Sequence, residues 1–379
     1  MNRAGSLMKN LSGEAAYNSF RPNPLPPQPR LTLEEDVQAI LVEANRRLAQ
    51  LDVMSKLIAN VNLFVSMYVR KEALISSMIE GTQCTLDDIL DPTVDSNANS
   101  DVADVVNYVK AAQYALDTMQ ELPLCNRLLR QTHAVLMEGR RGQEKNPGEF
   151  RRSQNWIGPA NCGIKDARYI PPNPEDMTEA MSSLEKYMND SKEDDPLVRA
   201  ALIHYQFETI HPFLDGNGRI GRLLILLYFV QQGLLEKPVL YVSYFLKKNQ
   251  VEYYDRLAEV RRSGNFEQWV KFFLEAVSAA AEDAMESIQK LSSLHDRNIA
   301  LIEANSRTGS KTRILFDYLE QHPIIDIKHS AKDLGLSYNT ISTAVKKLEA
   351  LRILRETTNA ARNRVFAYEE YLNILRKDI

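Results

Sequence analysis

The sequence predicts a mainly α-helical protein with a short β-structured insertion near its middle and a separate small domain at its C-terminus. Apolar residues recur at helical spacing from about residue 32 to about residue 305. Residues 147–174 interrupt this pattern with glycines, prolines and aromatic residues, which is typical of two short strands around a turn. A polar stretch at 305–310 precedes a helix–glycine–helix pattern, which indicates a second domain.

Five parts follow from these observations in chain order. We expect a proline-rich N-terminal arm (1–30), an N-terminal helical region (31–120), a central core (121–235), a helical extension (236–304) and a C-terminal domain (311–379). The arm is expected to run extended over the surface, with a flexible tail as the alternative. Individual helices are expected at about 32–51, 53–80, 100–120, 122–139, 174–190, 195–210 and 219–233, the first of them opened by a capping box at Thr32.

Bulk properties exclude several classes of protein. The chain has 379 residues, a net charge of −4 and 25% charged residues, so its composition does not indicate a nucleic-acid or membrane protein. The longest apolar run, Leu223 to Val230, is too short to cross a bilayer, and no N-terminal segment has the apolar core of a signal peptide. The three cysteines lack metal-binding spacing. We therefore expect a cytoplasmic protein that does not contact a membrane.

The segment from His211 to Arg222, HPFLDGNGRIGR, is the most informative stretch of the chain. It places a glycine-rich loop directly before an apolar helix. Main-chain N–H groups and the helix dipole favour anions at such a position. Arg219 and Arg222 are three residues apart and so lie on one face of that helix. Two guanidinium groups beside a glycine loop predict a polyphosphate site.

The other residues of this segment suit phosphate-transfer chemistry. Asp215 offers the oxygen ligand that Mg²⁺ prefers. Gly216 and Gly218 let the main chain approach phosphates closely, and Asn217 can donate to a phosphate oxygen. His211 precedes the loop and has a side chain suited to general-base catalysis.

The segment from His211 to Arg222 resembles the Fic family signature, HxFxDGNGRxxR, at every position, and the resemblance extends to residues 155–158, 169–172 and 195–208. Most Fic proteins transfer AMP from ATP to a hydroxyl group of a target protein. The resemblance implies that His211 deprotonates a Ser, Thr or Tyr hydroxyl, that Asp215 holds Mg²⁺ and that residues 217–222 bind the phosphates of ATP. It also implies a β-hairpin flap within residues 147–174. A phosphorylating branch of the family has Lys where this chain has Gly218, so AMP transfer is favoured.

A second motif, Ser76-Ser-Met-Ile-Glu80-Gly81, ends a predicted helix far upstream. Ser76 and Glu80 share a helix face, and Gly81 suits the residue after a helix. An ordinary surface acid before a helix end is the alternative. The motif resembles the inhibitory motif of Fic proteins, which implies that Glu80 occupies the guanidinium of Arg222 meant for the ATP γ-phosphate. A charge-assisted hydrogen bond of this kind contributes about 1.5–3 kcal/mol.

Two further positions have weaker signals. His204 lies seven residues before His211, but a core or supporting role is favoured over a metal pair. Asn249, with Tyr253 and Tyr254, resembles a segment that lines the adenine side in some Fic proteins. Helix packing is the alternative for Asn249.

The C-terminal domain carries 12 Lys and Arg against 9 Asp and Glu, a net charge of +3. Two helical patterns joined at Gly335, then strand patterns around residues 356–363, resemble a winged-helix domain. The residues expected to face DNA are Asn339, Thr340, Thr343, Lys347, Arg362 and Arg364. Target binding and formation of a homodimer are the alternatives. Removal of residues 311–379 is expected to leave a folded core.

The preferred function is Mg²⁺- and ATP-dependent transfer of AMP to a protein hydroxyl, held in check by Glu80. One alternative is a DNA-binding regulator whose Fic core senses a nucleotide. Another is removal of AMP from proteins, with Glu80 orienting a water molecule.

Overall fold

The computed structural model describes residues 2–57, 61–92, 99–139, 142–159, 161–190, 194–305, 310–358 and 363–377. The expected mainly α-helical fold is confirmed. The helices are α1 (Glu35–Leu57), α2 (Val61–Ile79), α3 (Leu86–Leu90), α4 (Ser100–Thr118), α5 (Asn126–Leu136), α6 (Pro174–Asp190), α7 (Pro196–Ile210), α8 (Asn217–Gln231), α9 (Ser243–Lys248), α10 (Gln250–Ser263), α11 (Phe266–Ala304), α12 (Ser310–Gln321), α13 (Ile327–Asp333), α14 (Tyr338–Ala350) and α15 (Glu369–Arg376).

Two small antiparallel sheets accompany the helices. The first consists of β1 (Gly5–Asn10) and β2 (Tyr17–Pro22), and the second pairs β3 (Ile324–Asp326), β5 (Val365–Ala367) and β4 (Arg355–Glu356) in that spatial order. The N-terminal arm is therefore a hairpin followed by the proline-rich segment. The main-chain N–H of Phe20 donates to Ile170 O at 2.9 Å, which fixes the hairpin beside the middle of the chain.

The core is formed by helices that carry apolar residues on nearly every face. Almost all of α7 and α8 is buried, because both lie at the centre of the helical assembly. The long helix α11 packs along α1 and contacts α7, where the indole N–H of Trp269 donates to Ala201 O at 2.8 Å. This arrangement holds the end of α7 and the start of α8 together in space.

The capping box expected at Thr32 is wrong. Helix α1 begins at Glu35, and the main-chain N–H of Thr32 instead donates to the carboxylate of Glu267 at 3.2 Å. A capping box does occur at α3, where Thr85 and Asp88 cap each other reciprocally. Thr32 is held by a contact distant in sequence, which a local pattern does not reveal.

The C-terminal domain packs against both the end of α11 and the segment that follows α2. The amide of Asn298 donates to the hydroxyl of Tyr368 at 2.5 Å, and Arg376 forms an ion pair with Asp87 of α3 at 2.7 Å. Leu90 packs on the apolar cluster formed by Ile324, Val365, Ala367 and Leu372. The domain is thus joined to the rest of the protein through buried contacts.

Removal of residues 311–379 should destabilise the second half of α11, contrary to the self-sufficient core expected above. Leu291, Leu294 and Ile302 are buried in the half of α11 that contacts Glu320 and Tyr368, and burial of one such side chain contributes about 1.5–3 kcal/mol. Hydrogen exchange of amides beyond Ile288 should accelerate by about tenfold for each 1.4 kcal/mol lost. Arg376→Gln removes the partly exposed ion pairs with Asp87 and Glu369 and is the control for their loss; each contributes at most about 1 kcal/mol. Unchanged protection in the truncated chain would contradict this expectation.

None of the helices in these ranges combines the length and apolarity that a bilayer crossing requires.

Candidate active site

The loop between α7 and α8 is shaped by two residues with left-handed backbone conformations. His211, at the C-terminal end of α7, has φ 51° and ψ 61°, and Gly216, at the N-terminal end of α8, has φ 76°. This conformation costs about 1–3 kcal/mol for a residue other than glycine, so surrounding contacts must stabilise it at His211. A side chain at Gly216 would also meet Met137 Sδ at 3.1 Å. The main-chain N–H groups of the first turn of α8 therefore face the loop.

Asn217 holds the loop from within. Its side-chain oxygen accepts from the main-chain N–H of Phe213 at 2.8 Å, and its amide donates to Phe213 O at 2.9 Å. The side chain is 2% exposed. Both polar atoms are thus engaged inside the protein, so the phosphate donor expected from this side chain is not available in this conformation. The main-chain N–H of Asn217 remains at the start of the helix.

His133 of α5 contacts the loop, and the sequence did not single it out. The main-chain N–H of Gly148 donates to its Nδ1 at 3.0 Å, so Nε2 carries the proton and donates to Asp215 O at 3.0 Å. The imidazole stacks on Phe213 with ring centroids 3.8 Å apart. Burial lowers the pKa of His133 to about 4, so the ring is neutral at neutral pH. A fixed, neutral imidazole therefore holds the carbonyl of Asp215.

The imidazole of His211 is half-buried, its Nδ1 is enclosed by protein, and the main chain of Glu208 lies close enough to raise its pKa through a hydrogen bond. Burial is the largest influence on its pKa and lowers it to about 4. Glu80 raises this pKa, whereas Arg151 and Arg261 lower it. The ring is consequently uncharged at neutral pH and able to accept a proton.

The buried guanidinium of Arg222 forms an ion pair with the partly exposed carboxylate of Glu80. Its Nη2 lies 2.7 Å from Glu80 Oε1, while its Nε donates to Ser76 Oγ at 2.8 Å and Nη2 also donates to Ser76 O at 2.9 Å. Burial disfavours ionisation of Glu80, but the charge and hydrogen bond of Arg222 outweigh it, so the pKa of Glu80 is lowered. The pair therefore persists at neutral pH. The two motifs meet at this contact, although Glu80 and Arg222 are 142 residues apart in the sequence.

Gly218 lies against the same carboxylate. A side chain there would place its Cβ 2.1 Å from Glu80 Oε1 and 2.9 Å from Arg222 Nη1. The absence of a side chain at Gly218 therefore leaves room for the Glu80 carboxylate beside Arg222.

Asp215 points towards solvent, with 49% of its side chain exposed. Its Oδ1 accepts from the N–H of Gly216 at 2.6 Å and lies 3.8 Å from Arg219 Nη2. Arg219 itself is buried. Across the described ranges, no group of three or more His, Cys, Asp or Glu side chains has the arrangement of a metal site. Asp215 is thus a single carboxylate at the mouth of the loop.

The insertion beside the loop is less regular than expected. The two strands predicted within residues 147–174 are reduced to one bridge between Ile157 and Tyr169, with the N–H of Ile157 donating to Tyr169 O at 2.8 Å. A 3₁₀ turn at Ile164–Asp166 occupies the residues between. The hydroxyl of Tyr169 donates to Thr209 O at 2.6 Å, which fastens this segment, hereafter the flap (155–172), to α7.

Sequence comparisons agree with this geometry. The chain matches the Fic/DOC family N-terminal region over residues 39–117 and the Fic/DOC family over residues 123–229. The chain carries a Fic domain. The second match covers α5 to α8 and so includes the loop and the flap.

The relatives of this Fic-domain protein include two insect proteins named protein adenylyltransferase Fic. The one from Drosophila mojavensis is 28% identical over 172 residues, and the one from Aedes aegypti is 31% identical over 147 residues. The matches cover 43% and 38% of this chain. They span only 31% and 26% of the length of those relatives.

Solved structures share the fold of the Fic-domain protein. A Fic family protein from Desulfovibrio desulfuricans G20 superimposes with a TM-score of 0.56 at 18% identity, covering 89% of this chain and 97% of that one. A Fic-domain-containing signalling protein from Bacteroides thetaiotaomicron superimposes with a TM-score of 0.51 at 18% identity, covering 65% and 97% of the two chains. The Fic helical fold extends over most of this chain.

Two candidate residues of the Fic-domain protein have side chains that bind other parts of the protein. His204 is buried, with Nδ1 2.9 Å from Gly221 O and Nε2 2.9 Å from the hydroxyl of Tyr253, which is the core role favoured above. The amide of Asn249 donates to Phe245 O at 2.9 Å, where α9 ends and α10 begins. Its side chain is thus engaged in joining two helices.

Two buried carboxyl groups of the Fic-domain protein also went unnoticed in the sequence. Burial raises the pKa of Glu208 and of Glu72 to about 7, and the nearby charge of Arg222 lowers the pKa of both. A side chain at Gly221 would meet Glu208 Oε1 at 2.2 Å. Glu72 has no motif around it, and Glu208 lies in the segment 195–208 without an assigned role, so only the packing of distant helices reveals that both are buried beside Arg222.

Proposed function

We propose that this Fic-domain protein transfers AMP from ATP to a hydroxyl group of a protein side chain. The observation that carries the proposal is the neutral imidazole of His211 beside a helix N-terminus whose two arginines face the loop. Relatives named protein adenylyltransferase agree with it, although their matched regions are a minority of their length.

In this proposal His211 accepts the proton of the target hydroxyl. The hydroxyl oxygen attacks the α-phosphorus of ATP, the bond from that phosphorus to the bridging oxygen of the β-phosphate breaks, and pyrophosphate leaves. Because the pKa of His211 is lowered to about 4, its ring is in the accepting form throughout the neutral range. The residue needs no separate deprotonation step.

The phosphates would be bound by the N-terminal turn of α8. Main-chain N–H groups and the helix dipole favour the negative charge, and Arg219 and Arg222 add two guanidinium groups. Gly216 and Gly218 keep side chains out of this space. Asn217 contributes by shaping the loop, since its side chain is engaged with Phe213.

Asp215 fits a magnesium ion that arrives with the nucleotide. Mg²⁺ is commonly held by one or two carboxylates together with substrate phosphates and water. Asp215 is a single exposed carboxylate beside the proposed phosphate site and could bind Mg²⁺ in this way. Among the described residues, no group of three or more His, Cys, Asp or Glu side chains forms a metal site by itself. The ion would neutralise phosphate charge. Asp215 would hold it through its exposed oxygen.

Glu80 would restrain the reaction by occupying Arg222. The guanidinium already donates to Ser76 and Glu80, so a γ-phosphate would have to displace the carboxylate. The absence of a side chain at Gly218 permits this contact. Ser76 would help by orienting the guanidinium towards Glu80.

The position of a label in ATP tests the reaction. In the Glu80→Gly variant, ATP labelled at the α-phosphorus should transfer its label to protein, and ATP labelled at the γ-phosphorus should not. Label from the γ-position on protein would indicate phosphate transfer instead. Release of AMP from pre-labelled protein by the unaltered chain would favour the AMP-removing alternative.

DNA binding is a second candidate function. We propose that residues 311–379 form a winged-helix domain and that this domain binds the DNA. The exposed polar face of α14, with Tyr338, Asn339, Thr343 and Lys347, favours it. Arg364 is paired with Glu356, and Arg362 lies outside the described residues, so the proposal rests on the helix. Salt-sensitive retardation of duplex DNA by the full chain, lost in Lys347→Ala, would test it.

A further inference from the structure

Arg151 is a buried cation that is surrounded by carbonyl groups. It is 2% exposed, and among the residues that the structure describes no carboxylate lies within ion-pair distance of it. Its Nε donates to His211 O at 2.9 Å, and Nη2 donates to Pro172 O at 2.6 Å and Ile210 O at 3.4 Å. Nη1 donates to Ser153 O at 3.3 Å. A buried charge without a countercharge is costly, which calls for a reason for its presence.

Three of these carbonyls belong to the end of α7 and to the flap. In the proposed function, the target hydroxyl reacts between these two parts of the protein. Ile210 and His211 form the end of α7, and Pro172 ends the flap. In addition, the main-chain N–H of Arg151 donates to Pro212 O at 2.9 Å. One residue therefore binds the main chain at 210, 211 and 212, including both sides of the residue whose left-handed backbone needs support.

We propose that Arg151 is a positioning residue that holds His211 in its left-handed conformation and fastens the flap to it. The planar guanidinium directs several N–H groups in fixed directions, so it reaches α7 and the flap together. A lysine ammonium would keep the charge but lose this geometry. The proposal rests on the function proposed above for His211.

The charge of Arg151 also acts on the imidazole. The charged groups that act on His211 are Glu80, just beyond the end of α2, Arg261 of α10 and Arg151 itself, while the main chain of Glu208 raises its pKa through a hydrogen bond. Burial lowers the pKa of Arg151 to about 10, which still leaves it protonated at neutral pH. Since its positive charge disfavours protonation of His211, loss of that charge should raise the pKa of His211.

Arg151→Lys and Arg151→Gln separate geometry from charge. We would prepare both in the full-length Glu80→Gly chain, with the neighbouring exposed Arg152→Gln as the matched control. Three quantities would be measured: the pKa of His211 by NMR of labelled histidine, assigned with His211→Asn; kcat for AMP transfer; and the Kd of ATP. Thermal unfolding would show whether each variant is folded.

Both Arg151 variants should lower kcat by about 10- to 100-fold, because a small displacement of a catalytic group has effects of this size. The Kd of ATP should change by less than about threefold, since the hydrogen bonds of Arg151 reach residues 153, 172 and 210–212 but not Gly216 or the first turns of α8. The pKa of His211 should rise in Arg151→Gln and stay near its original value in Arg151→Lys. Arg152→Gln should change none of these quantities.

Unchanged kcat in Arg151→Lys would overturn the positioning role. This measurement alone is a sufficient test if Arg151→Gln does not fold. Equal losses of ATP affinity and kcat in a folded variant would likewise overturn it, since they would indicate a merely structural role. If the Glu80→Gly chain shows no AMP transfer at all, the proposed function fails. The titration of His211 would then still test whether Arg151 sets its environment.

Discussion

Replacement of His211 should reduce AMP transfer by about 10²–10⁴-fold, the range expected for loss of a general base. The expected result follows from the lowered pKa of His211, about 4, and from its position at the mouth of the phosphate loop. ATP affinity should remain nearly unchanged, because the proposed phosphate contacts come from α8. The measurement is incorporation of α-labelled AMP in the Glu80→Gly chain, with ATP binding measured by calorimetry.

The choice of substituent matters because His211 has a left-handed backbone. Alanine removes the imidazole but is strained there, whereas asparagine tolerates this conformation better than most residues. Both His211→Ala and His211→Asn should therefore be tested, and both should lose activity. His329→Ala, an exposed histidine of the C-terminal domain, should retain full incorporation. Substantial incorporation by His211→Asn would show that another group accepts the proton.

Glu80→Gly should raise AMP transfer by about 10- to 100-fold, because it frees Arg222 from a charge-assisted hydrogen bond that contributes about 1.5–3 kcal/mol. Glu80 lies one residue beyond the end of α2, so a glycine there does not interrupt the helix. Glu80→Gln and Glu80→Ala should also activate. Labelled AMP incorporation at several ATP concentrations measures the effect.

The double variant Glu80→Gly, Arg222→Ala tests whether the two side chains act on each other. It should resemble Arg222→Ala alone, because release of Arg222 has no benefit once Arg222 is absent. Arg222→Lys retains a cation near the buried Glu72 and Glu208 and serves as a control for folding. Additive effects, or activity that does not rise in any Glu80 variant, would exclude a direct inhibitory pair.

Local sequence patterns predicted the central helices well. The expected ranges 195–210 and 219–233 differ by at most two residues from α7 and α8, since a capping Asp195, Pro196 and the glycine loop mark their ends. The Glu80–Arg222 contact was also expected, and the two side chains lie 2.7 Å apart. In both cases a motif with defined spacing carries the information.

Contacts between distant segments escaped prediction. His133 and Arg151 have ordinary sequence neighbours, and only the packing of their segments against the loop brings them to Asp215 and His211. The N-terminal hairpin likewise depends on a main-chain partner at Ile170, about 150 residues away. The side chain of Asn217 could equally bind a phosphate or its own loop. The burial of Asn217 in the folded protein decides for the contact within its own loop.

The ion pair between Arg376 and Asp87 places a limit on how far Glu80 can travel. Seven residues separate Glu80 from Asp87, and a fully extended chain spans about 3.3–3.6 Å per residue. While the pair remains intact, Glu80 stays within about 25 Å of Asp87, which is held against α15. Removal of residues 311–379 would remove the ion pair and, with it, this restraint on Glu80. Rates of AMP transfer measured on a fragment without residues 311–379 would therefore belong to a protein in which Glu80 is restrained differently from the full chain.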